Sequence, residues 1–173
     1  YNIFMKKITL IFLLSTTYIF SNMNAVVSIL PQQTFVKAIG GDKVNVSLMV
    51  QPGNSPHTYE PKPSQMIEIT KADLYFAIDL EFEQVWLPKF KDLNPKMQIS
   101  DLAENITKMP MQQACEEESH DEHGHHDEHA HEGADPHIWT APANVKIIAQ
   151  NIYTALIKKD PDNTEYYKRN LEI

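Results

Sequence analysis

The chain has 173 residues, 42% hydrophobic and 22% charged, proportions of a globular protein that exclude collagen-like and wholly disordered classes. Its formal charge is −8, but nine acids (Glu116, Glu117, Glu118, Asp121, Glu122, Asp127, Glu128, Glu132 and Asp135) fall between positions 116 and 135, and the rest of the chain sums to +1. A near-neutral body with one acidic insert lacks the basic face that displaces counterions from nucleic acid, and the single cysteine, Cys115, excludes an internal disulfide or a thiolate-only zinc site. No nucleic acid is expected as a partner, and any metal chemistry is left to histidine and carboxylate.

Lys6 and Lys7 precede an apolar run from Ile8 to Phe20, the order of a secretory signal. Thirteen helical residues span only about 20 Å, short of the ~30 Å hydrocarbon core, which argues against an uncleaved membrane anchor. Residues 1–25 are therefore read as a cleavable signal peptide with the cut at Ala25, and Tyr1 to Phe4, before Met5, as upstream read-through. No cysteine stands at the cleavage region, so a freely diffusing exported protein in the periplasm is expected.

From Val26 the pattern is that of an α/β lobe. Val26 to Leu30 and the alternating Val44, Val46, Leu48 and Val50 read as strands, with a helix from about Pro31 between them. Pro63 to Lys71 reads as a second helix, Asp73 to Ile78 as a buried strand, Phe82 to Phe90 as a helix and Met97 to Leu102 as a short strand. This alternation predicts a mostly parallel sheet flanked by helices. Val145, Ile148, Ala149, Ile152 and Leu156 mark one face of a helix opened by Pro142, and Asp160 to Asn163 ends it before another helix from about Thr164. The sequence stops at Ile173 inside a helical pattern, which suggests a truncated chain.

Three features carry chemistry. The first is the loop Pro52 to Pro63, with four prolines besides Gly53 and His57. Proline stiffens the backbone, so His57 has little freedom to lose on binding, and the end of a parallel strand is where open sheets bind ligands. A surface histidine bonded to a loop carbonyl is the alternative on this segment alone. Glu60 is expected to position the loop rather than bind metal. The second is Asp135-Pro136-His137-Ile138-Trp139, in which Trp139 is expected to pack as wall or core and Asp135 to hydrogen-bond the distal nitrogen of a histidine. His137 lies 80 positions beyond His57, so only the tertiary fold can unite the two. The third is the run His120, His123, His125, His126, His129 and His131, six of the eight histidines, set among acids over residues 116–134. With almost no apolar residues it is expected to be a disordered loop that gathers Zn²⁺, or less selectively Cu²⁺ or Ni²⁺, at low affinity, more weakly in acid as protons compete. Its alternative is a solvated charge run.

Together, Pro52-Gly53-x-Ser55-Pro56-His57-x-Tyr59-Glu60-Pro61, Ala72-Asp73-Leu74, the acidic histidine run and Asp135-Pro136-His137-Ile138-Trp139 followed by Pro142-x-Asn144 resemble the ZnuA-type periplasmic zinc-binding proteins of ABC importers. The resemblance implies two α/β lobes joined by a long helix, with one metal ion between them. It makes His57 and His137 first-lobe metal ligands, with Glu60 and Asp135 behind them. Residues 26–160 become the N-terminal lobe and 161–173 the start of the connecting helix, and the C-terminal lobe with the remaining ligands is absent. Two imidazoles leave a tetrahedral zinc half coordinated, so this segment alone is expected to bind weakly. Ala141 stands where relatives commonly carry a helix-capping Ser or Asp, a loss of about 1 kcal/mol.

The function expected is a Zn²⁺ receptor that delivers its ion to a membrane permease, works as a monomer and catalyses nothing. Manganese (Mn²⁺) or iron import within the same family is the rival, disfavoured because imidazole suits zinc better than these harder ions. A metal-dependent hydrolase with Glu60 as base is also disfavoured, since there is no His-Glu-x-x-His pair. A metal buffer or surface adhesin relying on the histidine run is the remaining alternative.

Overall fold

The computed structural model describes residues 22–109 and 135–172. The histidine run lies outside these residues, as do the apolar leader and Cys115. Four strands form one parallel sheet: β1 (Met23–Val27), β2 (Val44–Leu48), β3 (Leu74–Ala77) and β4 (Gln98–Asp101), in the order β2-β1-β3-β4. Helices α1 (Leu30–Gly40), α2 (Pro63–Lys71) and α3 (Glu81–Leu93) alternate with them, and α4 (Pro142–Lys159) and α5 (Thr164–Leu171) follow.

The inner strands are largely apolar, as expected of strands covered by helices, with Asn24 of β1 the half-buried exception. Ala25, Val26 and Val27 in β1 and Leu74, Tyr75, Phe76 and Ala77 in β3 are all buried. The edge strands β2 and β4 are only partly covered. Helices α1, α4 and α5 pack on one another, and α2 packs on α3. In α4 Ile148, Ile152 and Leu156 of the expected stripe are buried together with Ala155, while Val145 and Ala149 are half-buried. Its first turn begins at Pro142 with Ala141 as an N-cap that offers no side-chain hydrogen bond.

Three helices share a device for the orphan amides of their first turn. Leu80 N–H donates to Glu83 Oε2 at 3.0 Å, Lys62 N–H to Gln65 Oε1 at 2.9 Å and Ile29 N–H to Gln32 Oε1 at 3.0 Å, each the side chain three residues into the helix reaching back.

The first strand departs from its expected span. It runs Met23–Val27 instead of Val26–Leu30, because Pro31 suits a first helical turn and the chain is already helical at Leu30. Met23 pairs with Val44, and Ala25 pairs with both Val46 and Leu74. Asn24 N–H donates to Asp73 Oδ2 at 3.0 Å and its carbonyl accepts from Asp73 N–H at 2.8 Å. A mature terminus near Val26 would therefore remove three residues from the central strand. A chain begun at Val26 should lose about 2 kcal/mol or more from the burial of Met23 alone, read as a lower urea midpoint than that of a chain begun at Asn22.

The turn from α1 into β2, at the same end of the sheet, is tightly constrained. Gly41 has φ +54°, and a Cβ there would stand 2.2 Å from Tyr166 Oη, the hydroxyl that also accepts from Asp42 N–H at 3.3 Å. Tyr167, its neighbour in α5, is fully buried and donates to Asp160 Oδ2 at 2.6 Å. Gly41→Ala should thus cost about 1–3 kcal/mol in thermal or urea unfolding, from backbone strain together with displacement of Tyr166. An unchanged midpoint would show that α5 is not seated on this turn.

Candidate metal centre

In a sheet of this order the chain passes from β1 to β2 on one side and from β3 to β4 on the other, and ligands bind outside the carboxyl ends of the strands at such a reversal. The loops beyond those ends carry the residues of interest: Ser28 after β1, His57 after β2, Asp79 to Glu81 after β3, and Lys108 and Met109 after β4.

His57 is held by its neighbours in sequence and by the core. Tyr59 is buried, stacks edge-on against Phe82 with ring centroids 5.7 Å apart, and donates its hydroxyl to Gln65 Oε1 at 2.7 Å. Gln65 in turn donates to the carbonyls of Leu48 and Met49 at 3.1 and 2.6 Å, tying the loop to the end of β2. Phe82, Phe90, Tyr75 and Trp86 continue the aromatic packing behind it. The loop thus hangs from a fixed point two residues beyond His57, whose own amide donates to Ser55 Oγ at 3.3 Å.

The imidazole of His57 contacts Glu81 Oε2 through Nδ1 at 3.0 Å. An ionised carboxylate only accepts, so this contact puts the proton on Nδ1 and leaves the Nε2 lone pair available. The carboxylate comes from the first residue of α3 and not from Glu60, which is exposed. Sequence reasoning missed Glu81. The available signal was its place in the first turn of a helix that directly follows a parallel strand.

His137 repeats the arrangement with a local partner. Asp135 Oδ1 accepts from the His137 amide at 2.9 Å and from its Nδ1 at 2.7 Å, again leaving Nε2 available. The His137 amide, and then the His137 ring, hold the Asp135 carboxyl below its ordinary range, so it is the ionised acceptor that this geometry needs. Trp139 packs against the core, and its ring lies 5.3 Å from that of His137, the wall role expected of it. Thr140 donates through both its amide and its hydroxyl to the His137 carbonyl, at 3.2 and 2.8 Å, closing the short turn Ile138–Thr140. Both imidazoles are open to solvent, with side-chain exposures of 55% for His57 and 60% for His137.

One turn links the two histidine segments. Asp79 takes an ion pair from Lys108, and the carbonyl of the next residue, Met109, accepts from Asp135 N–H at 2.8 Å. Two residues on from Asp79, Glu81 holds His57. The turn 79–81 therefore carries the His57 imidazole at one end and, through Lys108 and Met109, the His137 segment at the other. Among the described residues no three or more His, Cys, Asp or Glu side chains gather into a group able to hold a metal ion. A four-coordinate ion would therefore need donors beyond those that the described residues gather. A groove of about 380 Å³ between β4 and α4, lined in part by Ile99, Asp101, Asn151 and Lys158, contains neither histidine.

Comparison with known proteins identifies the family. The zinc-uptake complex component A (ZnuA) periplasmic family matches residues 25–173. The high-affinity zinc uptake system protein ZnuA of Bacillus subtilis is 34% identical over 148 residues, covering 86% of this chain and 46% of that protein. The manganese ABC transporter substrate-binding lipoprotein scaA of Streptococcus gordonii is 34% identical over 142 residues, covering 79% of this chain and 41% of that protein. A crystal structure of ZnuA superposes with a TM-score of 0.73 at 41% identity, over 88% of this chain and 52% of the other. The chain spans about half the length of these relatives, which name zinc in some cases and manganese in others. The family match over residues 25–173 and the shared fold show that the protein belongs to the ZnuA family of metal ABC transporter substrate-binding proteins.

Proposed function

We propose that this protein captures Zn²⁺ outside the cytoplasmic membrane, through His57 and His137 together with ligands from a further lobe, and delivers it to the permease of an ABC importer. The observation that carries this reading is the pairing of each imidazole with a carboxylate at Nδ1, His57 with Glu81 and His137 with Asp135. Such pairing fixes the tautomer and raises the basicity of Nε2, the arrangement typical of histidines that ligate metal. In this reading no bond in the cargo is made or broken. Export by cleavage of the apolar leader belongs to the same reading. No helix among the described residues is long and apolar enough to cross a membrane.

Manganese is the second reading, favoured by the similarity to the streptococcal manganese-binding lipoprotein. Imidazole prefers the borderline ion zinc to the harder manganese, and the two donors this chain contributes are both imidazoles. In competition on the intact protein, zinc should displace manganese, and the reverse order would favour the second reading. The histidine run is proposed as an accessory collector. Deleting Glu116 to Gly133 should leave uptake at ample zinc intact and lower it when zinc is scarce, whereas loss of uptake at every concentration would make the run the primary site.

Calorimetry on the intact protein tests the site itself. Glu81→Gln and Asp135→Asn should each weaken zinc binding by roughly 10–100-fold, because the amide no longer fixes the imidazole as a pure acceptor does. His57→Ala and His137→Ala should each weaken it further. Zinc affinity unchanged in both alanine variants would place the ion elsewhere.

A further inference from the structure

Glu83 is the one carboxylate of the described chain that is buried, at 2% exposure, and no cation is among its partners. Burying a carboxylate without a counter-charge is costly unless its oxygens are satisfied, and here they are. Ile78 N–H is shared between its two oxygens at 3.1 and 3.0 Å, Leu80 N–H donates to Oε2 at 3.0 Å, and the Ser28 hydroxyl donates to Oε1. Because Ser28 gives its proton to Glu83, the Tyr75 hydroxyl, 2.6 Å from Ser28 Oγ, donates to it in turn. Ser28 is itself fixed, its amide donating to Gln32 Oε1 at 3.0 Å.

Capping a helix does not require so much; Gln65 does the same for α2 from a partly exposed position. What the Glu83 network adds is control of the turn between β3 and α3. The two amides it grips, Ile78 and Leu80, flank Asp79, a non-glycine residue at φ +61°, in the left-handed region that is uncommon outside glycine, asparagine and aspartate. Asp79 binds Lys108, and Glu81, the next residue after Leu80, holds the His57 ring.

We propose that Glu83 is the buried positioning residue of the metal centre: with Ser28 and Tyr75 behind it, it fixes the turn 79–81 and thereby sets where Glu81 holds the His57 imidazole. It touches neither imidazole and acts only through the turn. The effect on zinc affinity rests on the metal-capture reading above. The effect on His57 itself does not.

The test uses Glu83→Gln in the intact protein, since glutamine has one acceptor oxygen where this turn and Ser28 use two. Ser28→Ala, which removes a single hydroxyl, serves if Glu83→Gln does not fold. Long-range ¹H–¹⁵N imidazole spectra of the metal-free protein report the tautomer at each histidine, and competition with a chromophoric chelator reports zinc affinity. The expected result is that His57 shifts from its Nδ1–H tautomer toward Nε2–H while His137, whose carboxylate is only two residues away, does not, and that zinc binding weakens about 10–100-fold. A folded variant in which His57 keeps its tautomer overturns the proposal, as does one in which both histidines shift together. If His57→Ala binds zinc like the unmodified protein, the metal-capture reading fails, and the His57 tautomer still decides the role of Glu83.

Discussion

A carboxylate oxygen on the Nδ1 of each of two solvent-facing imidazoles is the interaction from which the rest of this molecule takes its sense. A histidine without such a partner divides its proton between two nitrogens and turns freely about its side-chain bonds. Each pairing removes both freedoms, leaving one lone pair with one direction. The two are built differently. Asp135 serves His137 from within a single short turn, so that pairing is local and forms whenever the segment adopts its bend. Glu81 lies 24 residues from His57 and reaches it only when β2, β3 and α3 are in place, so that pairing depends on the fold.

The sheet is what makes the long-range pairing possible. With the order β2-β1-β3-β4 and every strand parallel, all the strand ends that lead into these loops lie on one edge. The inner strands are locked by their apolar burial, and the loops inherit that rigidity through specific anchors: Tyr59 on Phe82 and Gln65 for the His57 loop, Asp79 on Lys108 for the segment approaching His137. The opposite edge is secured where Gly41 admits Tyr166 of α5 against the start of β2. Exposed imidazoles on a rigid frame present their lone pairs at little entropic cost, which suits capture from dilute solution.

The sequence was informative where the physics is local. Proline at Pro31, Pro63 and Pro142 marks helix starts, and the alternation at Val44 to Leu48 and the apolar run at Leu74 to Ala77 mark strands that need little beyond their own composition. Asp135 beside His137 was legible for the same reason. The start of β1 was not, because Met23 and Asn24 follow an apolar leader and a small-residue cleavage pattern competes with the strand for the same residues. Glu81 was passed over in favour of Glu60, which is nearer His57 in sequence, whereas the carboxylate on the His57 ring is that of Glu81. The network of Ser28, Tyr75 and Glu83 joins three elements, and no spacing rule connects residues 28, 75 and 83 before the sheet exists.

The central claim is geometric: one ion meets both imidazoles through Nε2, with Nδ1 kept by the carboxylates. A crystal structure of the zinc-loaded intact protein, with diffraction collected at the zinc absorption edge, tests it most directly. The account expects one anomalous peak about 2.0–2.1 Å from both His57 Nε2 and His137 Nε2. A peak bound through Nδ1, or one that leaves either ring out of its coordination shell, would contradict it.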